Sequence, residues 1–127
     1  MFVKLCIDFV THPMAALAAA RITVLQGVAE GTWDTNPRRS RLKLERALQI
    51  AERHWESERW FFRTDALSLT VNLAELCCDL GDRDTALQYL VDAQRMAEKN
   101  ESLRTFFERS GLRQRRDHVS TRLASRK

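Results

Sequence analysis

Residues 65–100, DALSLTVNLAELCCDLGDRDTALQYLVDAQRMAEKN, constrain this chain more than any other stretch. Leu69, Leu73, Leu76 and Leu80 fall on one face of a helix, with Ala66, Val71 and Cys77 flanking it. Gly81 then interrupts the pattern, and Ala86, Leu90, Ala93 and Ala97 resume it on a second helix. A glycine at this place adopts the left-handed backbone that closes a helix. Asp82 supplies the carboxylate that caps the next one. Two amphipathic helices joined so tightly fold back on each other as an antiparallel hairpin. Ala74 and Ala86 leave room for the two backbones to approach. Hairpins of this kind bury their apolar faces by stacking on similar units, and they present surfaces to other proteins more often than they perform chemistry.

The rest of the chain permits the same architecture. Both prolines precede residue 38, so nothing after Ser40 forbids nearly continuous helix. Residues 1–12 read as an N-terminal arm, strand-like or a short helix. Pro13 suits the first turn of a helix over about Met14 to Glu30, which Gly31 closes. Gly31 to Arg39 is a loop. A second helix runs from about Ser40, its N-cap, to Trp55, with Leu44, Ala47, Leu48 and Ala51 as its apolar stripe. Trp60, Phe61 and Phe62 are too bulky and clustered to remain in water and read as core. The third helix begins near Ser57 or Asp65. A fifth begins near Ser102, anchored by Phe106, Phe107 and Leu112, and Gly111 interrupts it.

The chain's 127 residues fit one domain, and at that size roughly two-thirds of the unfolded chain's surface can be buried. With 44% hydrophobic and 30% charged residues the composition is globular. Cys6, Cys77 and Cys78 are an odd number with one adjacent pair, a poor disulfide framework without metal-ligand spacing. Asp8, His12 and Pro13 break the N-terminal apolar run, so it lacks a signal-peptide core, and no run reaches membrane-span length. These features predict a cytoplasmic protein with no metal, no cofactor and no membrane contact. Charge is uneven: residues 104–127 hold eight Lys/Arg and two acids, 8 − 2 = +6, which leaves 13 − 15 = −2 for residues 1–103.

Shifting the second helix onto the fourth by 46 residues aligns Leu44 with Leu90, Ala47 with Ala93, Ile50 with Met96 and Ala51 with Ala97. The chain thus reads as two degenerate hairpins and a trailing helix. Leu73-Ala74, Gly81-Asp82, Ala86, Leu90 and Ala93 resemble a tetratricopeptide repeat (TPR) at the spacings of that motif. Thr70, Cys77 and Glu98 depart from it, where the family often has a large apolar residue, Tyr and Pro. The resemblance implies a short TPR-like solenoid whose first and third helices line a groove. On this chain the groove residues it implies are Ser68, Val71, Asn72, Glu75, Cys78 and Asp79. Glu75 and Asp79 would repel a peptide carboxylate, so the expected occupant is a basic or amphipathic helical segment of another protein. The same two acids read equally as a solvated face.

Nothing assembles a catalytic constellation, and no phosphate loop or nucleophile turn is present. Arg113 and His118, five apart, are similar to the R-x4-H motif of HEPN ribonucleases. That resemblance implies an arginine stabilising phosphate charge and a histidine moving protons. Arg113, Arg115, Arg116 and Arg122 are also candidate nucleic-acid contacts through counterion release, although no aromatic is interleaved with them. A solvated, partly disordered end is the simpler reading of residues 113–127. The sequence therefore predicts an all-α fold of four to five helices in antiparallel hairpins, with a TPR-like domain over 13–112 and a basic C-terminal tail. The function it predicts is a non-catalytic adaptor or chaperone-like module. The alternatives are the ribonuclease and nucleic-acid binding by the tail. Short arrays expose apolar ends, so self-association is a further expectation.

Overall fold

The computed structural model describes residues 13–55 and 60–125, without the side chains of Pro13 and Trp60. The expected N-terminal arm, the helix start at Ser57, the core placement of the Trp60 side chain, and Arg126 and Lys127 lie outside the described residues. Among those residues the fold is all-α, with six helices and no strand. They are α1 (Pro13–Thr32), α2 (Pro37–Arg53), α3 (Trp60–Asp79), α4 (Arg83–Ala97), α5 (Glu101–Arg109) and α6 (Leu112–Ser125). Each of the first four packs on the next in sequence, and α6 returns to lie along α3.

The turns have simple chemical causes. Gly81 takes φ +80° after α3, and the Asp82 side chain accepts a hydrogen bond from the Thr85 N–H at the start of α4. Gly111 takes φ +85° and separates α5 from α6. The basic run over Leu112–Ser125 is therefore a helix of its own and not a disordered tail, which makes six helices among the described residues where four or five were expected. Gly31, by contrast, lies within α1 and does not adopt the left-handed conformation; the helix continues to Thr32. The cap of α2 is Asn36, whose Oδ1 accepts from the Arg39 N–H at 3.3 Å. Pro37 then occupies a position where no N–H donor is needed. Ser40 is buried instead of capping. It donates to the Ala29 carbonyl at 2.8 Å and shares a 2.7 Å hydrogen bond with the Thr32 hydroxyl, stitching α2 to α1.

The 46-residue register extends further than the apolar stripe. Asn36 and Asp82 are both N-caps and lie 82 − 36 = 46 apart. Ser40 and Ala86, the same distance apart, are both buried small residues, and Leu44, Ala47 and Ala51 are buried like Leu90, Ala93 and Ala97. The two helices dock by the same small-residue logic.

Three buried clusters meet on α3. Phe62, Ala66, Leu69, Leu73 and Leu76 pack with α1 and α2. Leu67 and Val71 pack with α4, α5 and Leu112. Ala74, Cys77 and Cys78 pack with Ala86 and Leu90 of α4 and with Val119 and Leu123 of α6. A helix apolar on nearly every side must be covered on nearly every side. Phe62 also stacks on His54, with ring centroids 4.8 Å apart. Burial raises the Cys77 thiol to about 11, which keeps it protonated at neutral pH.

Two consequences can be measured. Ala86 is wholly buried at the α3–α4 seam, so Ala86→Trp should cost roughly 1–3 kcal/mol or more by overpacking; an unchanged melting temperature would contradict the hairpin packing. Burial also raises Asp65 to about 6, so the folded protein holds this proton between about pH 4 and 6 while the unfolded chain releases it. Stability should fall by about 3 kcal/mol from this group as pH rises through that window. Asp65→Asn should raise the melting temperature at pH 7 and flatten the profile, as followed by thermal melts at pH 4 to 8.

Candidate partner-binding face of the third helix

The least buried edge of α3 is polar: Ser68, Asn72, Glu75 and Asp79 recur three or four residues apart and remain half-exposed or exposed. Four of the six predicted groove residues thus share one stripe. The other two do not line it. Val71 is fully buried against α4 and α5, and Cys78 is 1% exposed beneath α6. Both fall inside because α3 has neighbours on more sides than a helix with one buried face.

The acidic part of the stripe is engaged by α6. Arg115 hydrogen-bonds Asn72 Oδ1 and pairs with Glu75 Oε2 at 2.8 Å. Arg122 pairs with Asp79 Oδ1 at 2.7 Å. The two arginines are a heptad apart, within about 20° of each other around the helix. They meet the acids in the same order, so α6 runs in the same sense as α3. Beside them Val119 and Leu123 turn down onto Ala74, Cys77, Cys78, Ala86 and Leu90, in the furrow between α3 and α4. On the other flank Arg116 reaches Gln94 of α4 and lies 5.7 Å over the Phe107 ring.

Asp79 has a second partner. Its Oδ2 accepts from the Trp33 indole N–H at 2.9 Å, so this carboxylate joins the α1–α2 connection to α6. The pairing to Asp79 holds the Arg122 guanidinium above its ordinary pKa. A separate pair, Arg41 with Asp82 at 2.9 Å, ties α2 to the cap of α4; the hydrogen bond from Thr85, and then this pair, hold the Asp82 carboxyl below its ordinary value.

The other predicted residues do not converge. Arg113 pairs with Glu108 at 3.3 Å, and His118 is exposed. Five residues apart on a helix, Arg113 and His118 point about 140° away from each other. The four arginines considered for nucleic acid all have partners within the chain: Glu108, Glu75, Asp117 and Asp79 for Arg113, Arg115, Arg116 and Arg122. Among the described residues no group of His, Cys, Asp and Glu is arranged to hold a metal ion, and no helix is long and apolar enough to cross a membrane.

Two surface features escaped the sequence reading. A groove of about 550 Å³ lies between α4 and α6, lined by Leu87, Val91, Gln94, Arg95, Arg116 and Ser120. On α1 the exposed Met14, Leu17 and Val24 share one side, an apolar patch at the end of the stack. The patch was legible as apolar residues three and then seven apart, on one side of a helix; the groove depends on where α6 lies. In comparisons with known proteins, no family model, no curated protein and no solved structure matches this chain.

The Arg122 side chain is 28% and that of Asp79 36% exposed, so solvent screens their attraction. A double-mutant cycle with Arg122→Ala and Asp79→Ala should return a coupling of roughly 0.2–1 kcal/mol, falling in high salt. A coupling of zero at low salt would remove this pair from the account of how α6 is held.

Proposed function

We propose that this chain is a non-catalytic interaction module, adaptor or chaperone-like, that holds a basic amphipathic helix of a partner protein against α3. The observation that carries the reading is the way α6 sits. A helix with two arginines a heptad apart and two apolar residues beside them is seated on Asn72, Glu75, Asp79 and the furrow beneath. That is the chemistry a helix-in-groove site selects: apolar anchors for affinity and charges on the rim for orientation.

The kinship to tetratricopeptide hairpins belongs to the same proposal. It is supported by the left-handed Gly81, by Ala74 and Ala86 buried where α3 and α4 meet, and by the 46-residue register of caps and small residues. A reducing, cytoplasmic setting goes with it, since Cys77 and Cys78 are buried as thiols. Arg113 and His118 diverge and the α6 arginines are engaged within the chain, so neither the ribonuclease nor the nucleic-acid reading is advanced.

The reading predicts that tagged protein captures a partner from native lysate in stoichiometric amount, that nuclease treatment leaves the partner bound, and that Glu75→Arg with Asp79→Arg releases it. Recovery of nucleic acid, with all protein lost after nuclease, would overturn the proposal.

A further inference from the structure

The face that suits a basic helix is already covered by one. We infer that α6 is a resident, displaceable occupant of the α3–α4 furrow, and that a partner's helix of the same pattern binds by replacing it. The pattern is read from α6: arginine, then an apolar residue four positions on, arginine at seven and an apolar residue at eight, as in Arg115, Val119, Arg122 and Leu123. This inference rests on the interaction-module reading and specifies its regulation: the site is closed until a competing helix arrives.

Three features make α6 the movable part. First, its attachment is lopsided. Only Leu112, Val119 and Leu123 of its residues are buried, and most of what remains is charged or polar. α3, by contrast, is buried along almost its whole length. Second, α6 is joined to α5 through Gly111 at φ +85°, a conformation that glycine enters and leaves without the penalty other residues incur. Leu112, anchored in the α4–α5 cluster, lies immediately after this joint, so Val119 and Leu123 can lift while the start of the helix stays docked. Third, the pairs from Arg115 and Arg122 to α3 lie at the surface, where salt and competing arginines reach them.

Departure of α6 would expose a coherent surface. Its floor is Ala74, Cys77, Cys78, Ala86 and Leu90, small and apolar, and its rim carries Glu75 and Asp79. A helix fits the small-residue floor, and the two acids select its register and direction. The favoured occupant is therefore a helix of another protein that carries its own arginines, for which the seated α6 is the template. Free in solution, a segment of this length is marginally helical and would fold as it docks.

The test uses a fluorescent peptide of residues 112–125 and the full-length chain. Wild-type chain should bind the peptide weakly because α6 competes. The chain carrying Arg115→Glu and Arg122→Glu should bind it at least ten-fold more tightly, with helicity retained. A complementary arm guards against misfolding of that variant. The chain with Glu75→Arg and Asp79→Arg should lose the natural peptide and bind one in which both arginines are replaced by glutamate. Equal affinities across chains and peptides would overturn the inference, leaving the module reading to stand or fall by partner capture. Peptide binding without any captured partner would do the reverse. A wild-type dimer cross-linked through α6 of one copy and α3 of the other would assign the furrow to a second copy and overturn the inference.

Discussion

The structure depends on one helix being apolar around most of its circumference. α3 carries Phe62, Leu69 and Leu73 toward one side, Leu67 and Val71 toward another, and Ala74, Cys77 and Cys78 toward a third. Such a helix has no stable existence in water, and a single hairpin partner does not cover it. The remaining elements can be understood as its coats. α1 and α2 cover the first side, α4 and α5 the second, and α4 and α6 together the third. The choice of small residues at the seams follows, since Ala66, Ala74, Ala86, Ala93 and Ala97 let several helices approach one axis closely.

The coats differ in kind. The α1–α2 coat is apolar and stitched by a buried hydroxyl at Ser40, so removing it would expose a wide face of Phe and Leu on α3. The α6 coat combines a few aliphatic contacts with screened ion pairs. Charges of this kind contribute modestly to affinity and strongly to register and direction. That division of labour is what a recognition surface needs. Here it operates within one chain, and it couples α6 through Asp79 to Trp33 in the connection between α1 and α2.

Much of the hairpin architecture was legible in the sequence because its signals are local. Gly81, Asp82 and the stripes on either side specify a turn and its two helices without reference to anything distant. The errors came from residues whose roles are tertiary. Ser40 has the chemistry of a cap, but Asn36 takes that role four residues earlier, so the hydroxyl turns inward to Ala29. Gly31 resembles a helix end, yet the chain has no reversal to make until after Thr32. Val71 and Cys78 enter the groove set through the tetratricopeptide resemblance, which leaves a face of this helix open at their positions, whereas α3 is covered on three sides. The C-terminal run looked solvated because its apolar residues, Leu112, Val119 and Leu123, are sparse among arginines. Their spacings of seven and four place them on one face, and that was the available signal. That the arginines would match Asn72, Glu75 and Asp79 about forty residues away was not written in any local pattern.

Native-state hydrogen exchange tests most directly whether α3 is the fixed element and α6 the movable one. Amides in the middle of α3 should exchange only through global unfolding. Amides around Val119 to Leu123 should exchange through a smaller opening, one that grows easier as salt weakens the pairs to Glu75 and Asp79. Exchange of α6 and α3 with the same free energy, unmoved by salt, would mean that α6 is an integral part of the core and would contradict the account.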